Sequence, residues 1–167
     1  LAVLLTLTAC GPTVRHVLVP LGFGENAHGG IRGRSPETNA KVHQGQRCVA
    51  KMDVKSFFPS VQHKRIYRMF RHEHGFGRDV AHLLTRLVTL RGGLPQGAPT
   101  SPAVANHFAR SVDDRLKPSL ERHQLRCTRF IDDFTISGDR PQLLIDLTAR
   151  LLRAKGLRLH PKKVKVC

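Results

Sequence analysis

Acid is what this chain has least of. Its 167 residues carry 12 Asp and Glu against 28 Lys and Arg, a formal net charge of +16. With a pI near 11.0, such a chain seeks a polyanion, and a ribosomal or general RNA-binding protein would show the same balance. Trp is absent and there are 8 Phe and 1 Tyr, which argues against a surface that stacks many bases on aromatic rings. Cys10, Cys48, Cys127 and Cys167 have no paired metal-ligand spacing, and scattered thiols in a basic chain fit a reducing compartment. Repeats, low-complexity tracts and linkers are also missing, and the length suits one domain with a real core. The apolar N-terminus, at about ten residues, is too short to span a membrane. Its Leu7-Thr8-Ala9-Cys10 box resembles a lipoprotein processing site, but no initiating Met or basic region precedes it. Residues 1–24 therefore read as an uncertain segment, the apolar end of a fragment or upstream sequence. The expected location is cytoplasmic, with no membrane partner.

Because acid is scarce, its clustering carries weight. Residues 127–131 and 134–137 are rich in β-branched and aromatic side chains and predict two short strands, with Asp132 and Asp133 at the tip between them. Two carboxylates a few ångströms apart repel by about 4 kcal/mol at an effective dielectric near 20. Either the pair is a solvated turn, where Asp is common, or a divalent cation lies between them. A third carboxylate bears on the choice. Residues 47–54 predict a strand with Asp53 near its end, before Pro59 stops it and opens a helix. An acid in an apolar strand is costly unless paired or metal-bound, and no acid occurs between Asp79 and Asp113. Asp53, Asp132 and Asp133 together could hold two Mg²⁺ ions for in-line phosphoryl transfer.

Helical periodicity fills the rest. Residues 60–72 predict a helix with Ile66, Met69 and Phe70 on one face. Val80, Leu83, Leu84, Leu87 and Val88 make a stripe over residues 79–90. Ser101 reads as an N-cap and Pro102 as the first helical residue, with Val104, Ala105, Phe108, Ala109, Val112 and Leu116 inward. Leu143, Leu144, Leu147, Leu151 and Leu152 predict a last helix, read as core and closed by Gly156. His72-Glu73-His74 reads as a solvated helix end, since adjacent residues do not share a helix face. The expected class is α+β, an antiparallel sheet with helices on one face.

At these residues the chain resembles a family. Asp53–Val61 is similar to the first catalytic motif of bacterial retron-type and group II intron-type reverse transcriptases. Leu94–Pro102, followed by Asn106, resembles their nucleotide-pocket motif, and Phe130-Ile131-Asp132-Asp133 their Tyr-x-Asp-Asp box. Ala27–Ser35 with Asn39–His43 resembles the segment ahead of the catalytic strand, and Gly156–Lys163 the motif that ends in a lysine. Five motifs in the family's order cover about residues 25–165.

The resemblance implies a polymerase palm with partial fingers over residues 25–167, acting as an RNA-directed DNA polymerase. It implies two Mg²⁺ ions (with Mn²⁺ as a substitute) held by Asp53, Asp132, Asp133 and the main-chain carbonyl of Val54. Phe58 then matches the steric gate against a 2′-hydroxyl, or is ordinary core. Gln96 and Gly97 match the contact to the incoming nucleotide, or form a plain turn. Lys163 matches the lysine that protonates pyrophosphate, or belongs to a charged edge with Lys162 and Lys165. Arg32 and Arg34 rank lower, as template or phosphate contacts. Implied partners are an RNA template, a DNA or RNA primer, dNTPs and a cognate structured RNA. Three departures stand out: no basic fingers hairpin is found in residues 1–24, the chain stops before a thumb, and Phe130 and Ile131 replace the usual Tyr and small residue. Weak extension by the fragment is therefore expected. Two alternatives remain: a nucleic-acid-binding palm without turnover, and an RNA-directed RNA polymerase, against which Phe58 argues. The biological setting, whether retron, group II intron, diversity-generating element or antiviral defence, is not legible.

Overall fold

The computed structural model describes residues 24–167, so the expectations for the apolar N-terminus and Cys10 lie outside the described residues. Alternation builds the sheet. In β1 (Cys48–Asp53), Ala50 and Met52 are buried while Lys51 between them is exposed. β2 (Arg126–Phe130) and β3 (Asp133–Gly138) form an antiparallel hairpin, and β3 also pairs antiparallel with β1. The short β4 (Lys165–Val166) pairs with the other side of β1, giving the order β2-β3-β1-β4. Successive side chains of a strand point to opposite faces. Ala50, Met52, Phe134, Ile136 and Cys127 thus share one face, and Lys51, Asp53, Asp133 and Thr135 share the other.

The apolar face is covered by helices. α5 (Ser101–Arg122) lays Val104, Ala105, Phe108, Ala109, Val112 and Leu116 inward, all buried as the periodicity predicts. α6 (Ile145–Ala154), entered through a 3₁₀ turn over Pro141–Leu144, adds Leu152. It ends at Gly156, whose φ of +73° and closing bond from Leu157 N–H to the Leu152 carbonyl form the glycine stop expected there. The architecture is the expected α+β. One short helix departs from the single covered face: α1 (Pro36–His43) crosses to the polar face, where both ring nitrogens of His43 lie 2.6 Å from Ser137 Oγ and Thr128 Oγ1.

Other expectations are corrected. The helix predicted over 60–72 is replaced by α3 (His63–Arg68) and a π-helical turn over Met69–Glu73, while α2 (Phe57–Ser60) is a separate turn that ends where that helix was to begin. Ile66 and Met69 still reach the core, and the extra residue of the π turn turns Phe70 to partial burial against it. α4 (Arg78–Val88) buries Ala81 and Thr85, while Leu83 and Leu87 of the predicted stripe are 57% and 71% exposed. Leu143 is likewise exposed rather than core. Glu73 does not end in solvent alone, because Lys155 at the end of α6 donates to it at 2.6 Å, and His74 packs against His107. Ser101 does not cap α5 but is its first residue, and its hydroxyl reaches back to the Pro95 carbonyl, which pins the loop carrying Gln96.

Candidate active site

The register of β1 and β3 places Asp53 directly opposite Asp133. The loop of the hairpin is Ile131-Asp132, one residue earlier than expected: Phe130 pairs with Asp133, so Asp133 opens β3 instead of sharing the tip. Ile131 takes φ +59°, a left-handed value that two-residue hairpin loops favour and β-branched residues resist. The Val54 N–H donates to the Asp132 carbonyl at 3.1 Å, which ties the loop to the residue after Asp53.

What holds Ile131 in place lies beneath it. Arg129 is fully buried on the apolar face and donates to both carboxylate oxygens of Asp113 on α5, the shortest bond being 2.7 Å. Its Nη1 donates to Asn106 Oδ1 at 2.9 Å and to the Ile131 carbonyl at 3.1 Å. Asn106 in turn donates to the Gly29 carbonyl at 2.8 Å. Gly29 lies so close to the loop that a Cβ there would stand 2.5 Å from Ile131 Cγ1 and 2.8 Å from its nitrogen. Burial raises the Asp113 carboxyl, and the guanidinium beside it opposes that rise. Arg129, Asp113 and Gly29 were not singled out as a unit from sequence. The available signal was Asp113 itself, an acid between Val112 and Leu116 on an inward helix face, which calls for a partner.

On the other side of the hairpin a cavity of about 380 Å³ is lined by Asp53, Val54, Phe58, Gln96, Asp132, His160 and Lys163 among others. Six sequence-predicted residues thus meet around one space, and His160 is an addition. Asp133 and Gly97 are not in that lining; Gly97 lies next to Gln96 with φ +87° and open space where a Cβ would be. Phe58 both lines the cavity and packs on the core, edge-on to Phe57 at 5.6 Å. Arg34 is turned inward and bonds the carbonyls of Glu25 and Ala27, so it fastens its own loop.

The charges are arranged in pairs. Lys163 Nζ lies 3.1 Å from Asp53 Oδ2, and Lys51 Nζ lies 3.2 Å from Asp133 Oδ2. Among the described residues, no three His, Cys, Asp or Glu side chains form a ready metal cage. The donor set nonetheless suits a hard divalent cation: carboxylate oxygens and a main-chain carbonyl, with no sulfur. Asp132 has its carboxyl held above the usual range, first by burial and further by the negative charges of Asp133 and Asp53, with Lys163 opposing. That mutual repulsion is what a cation would relieve.

The family described as "Reverse transcriptase (RNA-dependent DNA polymerase)" matches residues 13–167, beginning twelve residues ahead of the segment to which the motifs were traced. Among similar proteins, the Retron Mx162 reverse transcriptase of Myxococcus xanthus is 34% identical over 84% of this chain and 35% of its own length. The Retron Mx65 enzyme of the same organism is 36% identical over 87% of this chain and 39% of its own length. The Retron Ec86 reverse transcriptase of Escherichia coli is 29% identical over 92% and 48%. The chain spans about a third to a half of the length of these relatives.

Proposed function

The chain belongs to the reverse transcriptase family, and from that premise we propose that it carries the catalytic palm, with part of the fingers, of an RNA-directed DNA polymerase. The observation that supports this reading best is the shared cavity of Asp53, Val54, Phe58, Gln96, Asp132 and Lys163. Asp53, Asp132 and the Val54 carbonyl are the assigned ligands of Mg²⁺, or of Mn²⁺ in its place, with Asp133 as a third, more distant carboxylate. When bound as a pair, such ions lower the pKa of a primer 3′-hydroxyl and stabilise charge on the phosphoryl group being transferred.

The chain's own residues do the rest. Phe58 bounds the space that a sugar would fill and crowds a 2′-hydroxyl. Gln96 and the unobstructed backbone of Gly97 meet the incoming deoxynucleotide. Lys163, freed from Asp53, holds positive charge and a proton where the leaving pyrophosphate departs. The buried Arg129 network keeps Asp132 at the loop position from which it faces Asp53. The proposed partners are an RNA template, a DNA or RNA primer and, by similarity to the retron enzymes, a cognate structured RNA. No helix among the described residues is long and apolar enough to cross a membrane, and a cytoplasmic setting supplies both nucleotides and template.

The test is primer extension on an RNA template by the protein carrying these residues. Asp53→Asn and Asp132→Asn should abolish extension yet leave primer–template binding intact, or slightly tighter for Asp132→Asn. Phe58→Val should shift the ratio of ribonucleotide to deoxynucleotide incorporation upward by at least about tenfold. Extension that survives both Asp substitutions would overturn the reading. Binding without any extension by the unaltered protein would instead favour a nucleic-acid-binding palm without turnover.

A further inference from the structure

The polar face of the sheet continues past the cavity. Along β1 the side chains on this face are Asp53, Lys51 and Val49, with about 7 Å between alternate residues. Val49 and Thr135 are flanked by α1, which covers the far end. Between the cavity and that helix, Lys51 is 56% exposed by its side chain, and its cross-strand partner on β4 is Lys165.

Like charges directly opposite one another across an antiparallel pair are destabilising. Asp133 offsets only one of the two: it holds Lys51 Nζ at 3.2 Å, while Lys165 has no acidic partner among the described residues. Two facing lysines, one of them aimed by a carboxylate beside the catalytic loop, repel a cation and suit an extended anion. The anion that reaches this place must also reach Asp53 and Asp132.

We infer that Lys51 and Lys165 form a phosphate contact for the strand whose 3′ end meets those carboxylates, the primer. This rests on the polymerase reading above. On this assignment Asp133 serves as the anchor that orients Lys51. The sheet carries a like-charge pair whose repulsion the backbone phosphates of a bound strand remove.

The test uses a fluorescent DNA primer annealed to an RNA template, titrated with the chain in chelator at several salt concentrations. If about five phosphates are contacted, the log–log salt slope should be about −3.5 to −4.5. Lys51→Ala and Lys165→Ala should each reduce its magnitude by about one. Lys117→Ala on α5, away from this face and paired with Glu25, should leave it unchanged. Neutral methylphosphonates near the primer 3′ end should weaken binding of the parent chain and have little further effect on Lys51→Ala. Without nucleic acid, Lys165→Gln should raise the thermal midpoint by relieving the Lys51–Lys165 repulsion, and an unchanged or lowered midpoint would remove that repulsion from the proposal. Parent-like slopes in both lysine variants, an equal loss in Lys117→Ala, or sensitivity confined to template-strand methylphosphonates would overturn the proposal and leave the polymerase reading standing. A parent chain that fails to bind the primer–template at all would overturn that reading as well.

Discussion

Two sets of ion pairs flank one hairpin, and they differ in almost every physical respect. Beneath it, Arg129 and Asp113 are 0% and 3% exposed and joined by three hydrogen bonds. Above it, Lys51 and Lys163 keep more than half of their side chains in water while touching Asp133 and Asp53. Breaking a buried pair leaves a charge with nowhere to go, whereas an exposed pair can exchange its partner for water or a ligand at little cost. The buried set fixes where the loop is. In the exposed set each partner can be exchanged, a bound cation taking the lysine's place at the carboxylate or a phosphate taking the carboxylate's place at the lysine.

The largest effect should come from the buried side. Arg129→Met strands the Asp113 carboxylate and should cost about 3–5 kcal/mol in urea unfolding. Adding Asp113→Leu should recover most of that loss. A double variant no more stable than the single one would show that the network does more than balance charge.

A middle-sized effect should follow from pH. Burial, the first cause in each case, holds His28, His43, His74 and His107 below the usual imidazole range, and lowers His107 to about 4 with help from His74 and Arg110. In the unfolded chain these rings take up protons near pH 6.5. The unfolded state therefore binds more protons between about pH 6.5 and 4, and stability falls as pH drops through that window. The loss should be on the order of 1–2 kcal/mol, once solvent screening of the partly exposed His74 and His107 rings is allowed for. Urea midpoints that stay flat from pH 7 to 5 would remove the imidazoles from the balance.

The smallest effect belongs to the exposed side. Lys163→Ala should change stability by less than about 1 kcal/mol, and less still at high salt, while slowing extension in the same protein. A loss as large as that of Arg129→Met would erase the distinction between the two sides.

What was legible in the sequence was local. Asp53 at a strand end, the hairpin around Asp132 and the inward face of α5 all follow from alternation or a 3.6-residue period, which a single stretch of chain displays. The Arg129–Asp113–Asn106 network was not legible as a unit, because its members come from separate elements and only the folded register of β2 against α5 brings them together. The outward Leu83 and Leu87 mark another limit. Periodicity shows that α4 has an apolar side but not which side meets the core, and the small Ala81 and the self-bonded Thr85 are what the close helix contact accepts. The break in the helix predicted over 60–72 left no periodic trace, since Ile66, Met69 and Phe70 keep helical spacing through the π turn. The one-residue shift of the hairpin loop was hidden for a different reason: Ile131 is a poor choice for a left-handed turn, and it is held there by the side chain of Arg129 beneath the hairpin and by the close approach of Gly29.

The sheet also has two edges, and they are finished unequally. Along β2, Asn26–His28 runs parallel to the strand: Arg129 N–H donates to the Asn26 carbonyl at 2.6 Å and His28 N–H to the Arg129 carbonyl at 2.7 Å. The opposite edge is only two residues long and carries Lys165. Unpaired strand edges recruit other strands, and short length, charge and a covering segment are the usual defences against it. Those three backbone residues therefore guard the protein's colloidal behaviour as well as its loop. Removing them would free the Arg129 N–H and carbonyl on a five-residue edge strand while leaving Asp53 and Asp132 untouched, and self-association would then decide the chain's fate in solution.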